Sequence, residues 1–307
     1  MHWFLIALAA PFLWALVNVA DKYLVVNYGG GGGQHRSSGS LVLFSSLIGI
    51  FVALAIGLFV PEIFSIALTD KLLLILVGGL SICWIILYLF ALEIEDVSTV
   101  VPWMLTIPVF GYLFGYLFLN EVLTYTQILG MGIIFLGAVV LSVDVRTIKI
   151  SFKREVVFYM LLVSIIYAAN GILFKLVASE RGFWVSSFWE HVGLGGAGLI
   201  IFALIPRYRQ DFLSMLREDG ATIFGINVMS ELCTIAGNLL TNYALLLAPV
   251  ALVYMVSTFQ PVAVLIFTLI TSMVWPQIVK EDFSPRIVTP KLIAVACMVL
   301  GSAIMFL

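Results

Sequence analysis

The chain of 307 residues is 63% hydrophobic and only 10% charged, whereas a soluble globular protein carries roughly 25% charged residues. Its 15 basic and 17 acidic side chains give a net charge of -2, which provides neither a basic face for nucleic acid nor enough charge for a soluble surface. Cys83, Cys233 and Cys297 lie inside apolar runs, so we expect core residues and no disulfide framework. The composition therefore indicates a polytopic membrane protein.

Ten apolar runs are each long enough to cross the hydrocarbon core as a helix, which takes about 20 residues. Their approximate limits are 3–26, 40–60, 72–92, 97–118, 125–143, 156–177, 183–205, 220–243, 247–272 and 290–307. Backbone polar groups in lipid must be satisfied within their own segment, so these runs are predicted to be helices. The expected fold is all-α, with ten transmembrane helices and polar connections at 143–155, 206–219 and 273–289.

Local signals mark the start of two of these helices. Thr124 and Gln127 have the spacing of a capping box, which predicts the start of helix five. Thr289 followed by Pro290 places a capping residue before a proline at the first helical position, which predicts the start of helix ten.

The two halves of the chain resemble each other when one is shifted by 153 residues. Lys22 then falls on Lys175 and Pro108 falls on Pro261, and both residue types are uncommon inside the apolar runs. The two predicted repeats cover residues 1–148 and 149–307. Because each repeat has five helices, an odd number, the second enters the membrane from the opposite side. Such inverted repeats are typical of secondary transporters, which bind substrate near the midplane between the repeats.

Two segments of the first half resemble the EamA domain of the drug/metabolite transporter superfamily. The first runs from Trp14 to Lys22, and the second runs from Pro108 through Glu121 to Gly137. The resemblance implies two EamA repeats with a central cavity lined chiefly by helices one, three, four, six, eight and nine. Members of the superfamily export amino acids and other metabolites, or exchange sugar phosphates and nucleotide sugars.

Predicted helix eight carries a polar stripe inside the hydrocarbon. Its members recur at spacings of three and four residues and therefore share one helical face: Asn227, Glu231, Thr234, Asn238 and Asn242. An ionisable residue in the middle of a span is costly and usually functional. We expect Glu231 to titrate a proton or bind a cation while the amides hold a polar substrate. The alternative is that the stripe only forms hydrogen bonds between helices.

Four more ionisable residues are candidates for coupling or gating. Glu190 and His191 lie in predicted helix seven, where a buried carboxyl suits a proton-coupled step. The alternative for Glu190 is an ion pair with Arg181, or a cap on a neighbouring helix near the membrane interface. Lys22 and Lys175 are repeat mates that could attract an anionic substrate or lock a gate. Snorkelling to the membrane surface fits the two lysines equally well.

Aromatic residues supply further candidates for the cavity. Trp84 and Tyr88 share a face of predicted helix three, and Trp14 lies in predicted helix one with the further cavity candidate Asn18. Such rings could enclose an apolar or cationic solute. The alternative for most of them is packing, or an interfacial belt for those near helix ends.

Prolines and glycines have structural consequences in these helices. Pro108 and Pro261 interrupt predicted helices four and nine, which makes both helices candidates for rocking or gating, with a static kink as the alternative. The run from Gly193 to Gly198 matches G-x-G-x-x-G, but no strand precedes it. We expect these glycines to allow close helix packing, as do three in helix five, namely Gly130, Gly132 and Gly137.

These patterns predict a secondary transporter that moves a small polar metabolite, amino-acid-like or another organic solute, by alternating access driven by a gradient or by protons. One alternative is an intramembrane enzyme acting on a lipid-linked substrate, with Glu190 and His191 as its acid/base pair. A second is a membrane adaptor that transports nothing. The expected partners are the substrate, the bilayer and protons as a candidate coupling ion. No cofactor, metal site or nucleic acid is expected, and a monomer and a homodimer are both compatible with the sequence.

The charges of the connections predict an orientation in the cell (inner) membrane. Eleven lysines and arginines fall on one predicted face, whereas only Lys71 and Arg181 fall on the other. Because ten spans return the chain to its starting side, both termini share a face. The positive-inside rule places that face away from the cytoplasm.

Overall fold

The computed structural model describes residues 2–28, 38–95, 100–142, 153–218, 220–274 and 285–307. All regular structure within these ranges is helical, which confirms the predicted all-α class. The α-helices are α1 (His2–Tyr28), α2 (Ser38–Phe59), α3 (Leu68–Ile94), α4 (Ile107–Leu119), α5 (Tyr125–Ser142), α6 (Arg154–Arg181), α7 (Phe183–Leu204), α8 (Pro206–Glu218), α9 (Ala221–Leu245), α10 (Val250–Ser257), α11 (Gln260–Val274) and α12 (Pro285–Met305). Two short 3₁₀ helices, Pro61–Phe64 and Val101–Thr106, precede α3 and α4.

Several of these helices are long and apolar enough to cross a membrane. Helices α3 and α6 have 27 and 28 residues, or about 40 Å at 1.5 Å per residue, against about 30 Å of hydrocarbon. Within the described ranges, six segments meet the requirements for a span: Leu41–Phe59, Leu68–Ile94, Val101–Leu119, Arg154–Arg181, Phe183–Leu204 and Val250–Phe267. The chain is therefore a multi-pass membrane protein.

The chain packs as two compact units. Unit 1 comprises Met1–Gly33, Asn120–Ser151 and Gly225–Leu307, and unit 2 comprises Gln34–Leu119 and Phe152–Phe224. Each unit thus combines helices from both predicted repeats. The repeats at 1–148 and 149–307 are a prediction about sequence similarity, and packing divides the chain differently.

In unit 2, α2 and α7 pack antiparallel through small residues. A Cβ on Gly198 would meet Ser46, one on Gly195 would meet Ile50, and one on Gly57 would lie 3.1 Å from Phe188. Numbers on one helix rise as those on the other fall, so the two helices run in opposite directions. The match to G-x-G-x-x-G therefore serves close packing, as expected.

Helices α3 and α6 of unit 2 also run antiparallel, with an ion pair at each end. Arg181 Nε lies 2.7 Å from Asp70 Oδ2, and Lys153 Nζ lies 3.2 Å from Glu95 Oε1. Asp70 at the start of α3 thus lies directly opposite Arg181 at the end of α6, and the suggested pairing of Arg181 with Glu190 stays a prediction.

In unit 1, α5 and α12 pack antiparallel. A Cβ on Gly130 would lie 2.6 Å from the Gly301 carbonyl oxygen, and one on Gly137 would lie 2.8 Å from that of Ala294. The expectation that Gly132 does the same was wrong, because it lies on the exposed side of α5 with nothing within 4 Å of a Cβ.

Helix α8 was missed by the sequence reasoning, which treated 206–219 as a polar connection. Its aromatic residues pack on other helices of unit 2: the Tyr208 ring lies against Gly39, and the Phe212 ring centroid lies 6.3 Å from that of Phe202. The guanidinium of Arg209 lies over the same Phe202 ring at 6.0 Å. The apolar spacing of Tyr208, Phe212 and Met215 was the available signal for an amphipathic helix.

Candidate functional site

The helices that correspond to predicted spans four and nine each change from one helical segment to the next at matching places, which are called breaks below: in unit 2 the change is from 3₁₀ to α-helix without an intervening residue, and in unit 1 a two-residue turn separates the segments. In unit 2, a 3₁₀ helix ends at Thr106 and α4 begins at Ile107; in unit 1, α10 ends at Ser257 and α11 begins at Gln260. The offset of 153 places Ile107 on Gln260. Pro108 and Pro261 are therefore each the second residue of the helix that follows the break. A proline costs little at this position, because the first N–H groups of a helix have no acceptor within the helix.

A threonine lies beside each break. Thr106 Oγ1 donates to the Trp103 carbonyl oxygen at 2.7 Å and lies 2.7 Å from Ser164 Oγ on α6. Thr258 Oγ1 donates to the Met255 carbonyl oxygen at 2.6 Å. Carbonyls at a helix end lack α-helical partners, so the hydroxyls stabilise both breaks in the apolar surroundings.

In unit 1, the polar stripe of α9 is mostly half-buried. Asn227, Glu231, Thr234 and Asn242 are partly covered, and Asn238 is exposed. Thr234 Oγ1 donates to the Ser230 carbonyl oxygen of its own helix at 3.0 Å. The Ser230 hydroxyl beside Glu231 is buried with no hydrogen-bond partner among the described residues. A buried polar atom of this kind usually binds water or a ligand.

Trp14 of α1 packs on α9 next to this stripe. Its indole Nε1 lies 2.6 Å from the position that a Cβ on Gly237 would take. The close approach therefore requires glycine at 237. Asn18, one turn further along α1, is exposed, and the Lys22 side chain falls outside the described part of the chain.

Gly237→Ala is expected to displace the Trp14 indole and weaken substrate binding by roughly three- to tenfold, because an aromatic contact is worth about 0.5–1.5 kcal/mol. The KM of uptake in proteoliposomes measures the change. Gly225→Ala is the matched control, since a Cβ at this glycine of α9 would meet no described residue within 4 Å. An unchanged KM for Gly237→Ala would remove Trp14 from the binding site.

In unit 2, Trp84 and Tyr88 pack against a buried cluster formed by Ala91, Val100, Val156, Met160 and Val163. The Trp84 ring also meets the Tyr167 ring edge-on, with centroids 5.2 Å apart. Both aromatics thus have the neighbours that the packing alternative requires, and contact of either ring with a solute stays a prediction.

Glu190 and His191 are directed to different partners. Glu190 is half-buried, and its carboxylate acts electrostatically on the Tyr167 phenol of α6. His191 is buried, and its Nδ1–H donates to the Ser187 carbonyl oxygen of its own helix at 2.7 Å. This geometry gives the acid/base pair of the enzyme alternative no support. Lys175 is half-buried on α6, and its gating role stays a prediction.

Sequence reasoning gave no site role to three polar residues, two of them in unit 2 and one in unit 1. Asn170 Nδ2 donates to Ser81 Oγ at 2.8 Å, and the Asn170 Oδ1 atom is buried with no partner in the described ranges. Tyr167 is the repeat mate of Trp14, so the offset of 153 could have identified it. The third, Glu121, accepts a hydrogen bond from a residue 129 positions away, which no local pattern signals.

Comparison with known proteins agrees with this architecture. Residues 1–143 match the EamA-like transporter family, whereas no curated protein matches the chain. Among solved structures, 27 chains match. One, described only as the crystal structure of a protein, has a TM-score of 0.67 and 17% identity over 99% of this chain and 96% of its own; at this identity the likeness shows the fold alone.

The apolar helices define a multi-pass membrane protein, and the family match over residues 1–143 indicates a membrane transporter. The matched EamA-like transporter family is part of the drug/metabolite transporter superfamily. Members of this family are transporters and not enzymes.

Proposed function

We propose that the chain is a secondary transporter that moves a small polar metabolite by alternating access, with ten spans arranged as two inverted five-helix repeats. The observation that carries this proposal is the pair of breaks before Pro108 and Pro261. Interrupted helices at corresponding positions of two repeats point to the binding site of a secondary transporter.

The packing directions of repeat mates support the inversion. Helices α2 and α7 correspond to predicted spans two and seven, and α5 and α12 correspond to spans five and ten. Both pairs run antiparallel. Repeats inserted in the same direction would give parallel mates, so the antiparallel packing favours an inverted pair.

An equivalent contact in each unit supports the repeat itself. Trp14 packs on Gly237 in unit 1, and Tyr167 packs on Trp84 in unit 2. With the offset of 153, Trp14 corresponds to Tyr167 and Trp84 corresponds to Gly237. Two positions that are neighbours in one unit thus have mates that are neighbours in the other. The mates Trp84 and Gly237 differ, since one is a large ring and the other is glycine, and this supports a functional difference between the two contacts.

The residues proposed to bind the solute in unit 1 are those on and beside the polar stripe of α9: Glu231, Asn227, Thr234, Asn238, Trp14 and Asn18. Glu231 is the proposed proton-titrating or cation-binding group, because a half-buried carboxylate in a span is costly without such a role. In unit 2, Glu190 and Tyr167 form a second candidate for coupling. Lys22 and Lys175 remain candidates for gating, and the proposed orientation has both termini on the non-cytoplasmic face.

The proposal is tested by uptake into proteoliposomes of the purified protein. A panel of radiolabelled amino acids and other small polar metabolites is offered with and without a pH gradient. At least one solute is expected to accumulate above the level of protein-free vesicles, and the gradient is expected to change its rate. Absence of uptake and of exchange for the whole panel would contradict the proposal for these solute classes.

A further inference from the structure

Several residues of the loop between α4 and α5 are fixed by their backbone conformation, by burial or by hydrogen bonds. Asn120 has a positive φ of 53°, a left-handed conformation that asparagine tolerates better than most residues. Leu123 is buried. The Thr124 N–H donates to Gln127 Oε1 at 2.9 Å, and the Gln127 N–H donates to Thr124 Oγ1 at 3.2 Å. This is the predicted capping box, and it fixes the end of the loop.

Glu121 of this loop reaches the first residue of α10. Its Oε2 accepts the Val250 N–H at 2.8 Å. Pro249, which precedes Val250, has no N–H of its own, and the first N–H groups of a helix lack helical partners. A carboxylate at this end also interacts favourably with the helix dipole. Glu121 therefore provides the hydrogen-bond acceptor for the Val250 N–H, which neither lipid nor the backbone of α10 can provide.

Helix α10 connects the residue that Glu121 contacts to the break at its other end. All of its residues from Val250 to Val256 are buried, so the segment is packed on every side. It is only 8 residues long, and the turn at Thr258–Phe259 follows it directly. Because α10 is hydrogen-bonded at its first residue and packed along its length, its last residues are held in a fixed position.

We propose that Glu121 is a positioning residue for the interrupted helix: by holding the N-terminus of α10, it fixes where the break at Thr258–Gln260 lies. The inference rests on the proposed transport function and adds to it a residue that need not touch the solute. This role requires the acceptor oxygen of the side chain. Glutamine keeps an oxygen at the same distance along the side chain, so it should substitute for glutamate in this role.

The test compares Glu121→Ala with Glu121→Gln in proteoliposome uptake of a solute that the wild-type protein transports. Loss of a hydrogen bond to a charged group corresponds to a fall of roughly 10- to 150-fold in the population of the held arrangement. We expect Glu121→Ala to lower the maximal rate at least about tenfold on this basis, and Glu121→Gln to restore most of it. Glu62→Ala, at an exposed glutamate of the 3₁₀ helix Pro61–Phe64, should transport as wild type does.

Several outcomes separate this inference from the proposed function. If wild type transports and Glu121→Ala matches it, the positioning role is overturned while the transporter stands. Equal loss in Glu121→Ala and Glu121→Gln would also overturn it, because the amide keeps the acceptor. Monodisperse elution and a melting temperature within a few degrees of wild type show that each variant is folded. Failure of wild type to transport any solute contradicts the proposed function instead.

Discussion

Replacing Glu231 by glutamine is expected to reduce uptake to the level of protein-free vesicles while the protein still folds and inserts. The side chain is half-buried in α9, beside the buried Ser230 hydroxyl. Glutamine has nearly the same size but neither titrates nor attracts a cation. A hydrogen bond to a charged group is worth about 1.5–3 kcal/mol, so loss of substrate or cation binding alone lowers affinity by roughly 10- to 150-fold. Loss of proton coupling would add to this effect.

The matched control is Glu180→Gln. Glu180 lies in the last turn of α6 with 75% of its side chain exposed and 4.0 Å from Arg181 Nη2, so the same chemical change there removes a largely solvated charge and one weak surface ion pair. Its uptake should equal that of wild type. Wild-type uptake by Glu231→Gln, with the same response to a pH gradient, would show that the stripe of α9 only joins helices by hydrogen bonds.

Gly193→Ala is expected to destabilise unit 2 more than any other single-methyl change in α7. A Cβ at this position would overlap the backbone of Ile75 on α3. The crossing is tight on both sides, because a Cβ on Gly78 would overlap the backbone of Glu190 and Leu194 in turn. Overpacking typically costs about 1–3 kcal/mol, and backbone cannot yield as a side chain can. The melting temperature of the purified protein in detergent measures the effect.

Gly196→Ala in the same helix is the control with the opposite expectation. A Cβ there would meet nothing within 4 Å, and alanine favours a helix over glycine by about 1 kcal/mol. Its melting temperature should be unchanged or higher. Equal melting temperatures for the two variants would mean that α3 and α7 do not approach as closely at Gly193 as described.

The helices could be predicted because they depend on local pattern. Within the described residues, each predicted apolar run overlaps a helix or a pair of successive helices. The capping box at Thr124 was also predictable, because its donors and acceptors lie within three residues. The predicted start of helix ten at Thr289–Pro290 was wrong, because α12 begins at Pro285 and Pro290 lies inside it. Prolines 108 and 261 located the interruptions, although the positions of the breaks depend on how the flanking segments pack.

Other features depend on residues far apart in the chain. The contact of Glu121 with Val250, and that of Trp14 with Gly237, join elements that no spacing rule relates. The division into two units is equally nonlocal, since each unit draws on both repeats. The ring of Trp84 suggested a cavity, but Tyr167 and three members of the buried cluster beside it, Val156, Met160 and Val163, lie on α6, whose approach the sequence of α3 does not reveal.

The central claim is that the two repeats are inverted, and membrane-side labelling of single cysteines tests it most directly. Glu62, between α2 and α3, and Gln210, on α8 between α7 and α9, are exposed residues in equivalent connections of the two repeats. Each is changed to cysteine in a background with Cys83, Cys233 and Cys297 replaced by alanine, and an impermeant maleimide is applied to sealed vesicles of known orientation. Inverted repeats predict that the two sites react from opposite sides of the membrane. Reaction of both from the same side would contradict the inversion and the alternating-access proposal that depends on it.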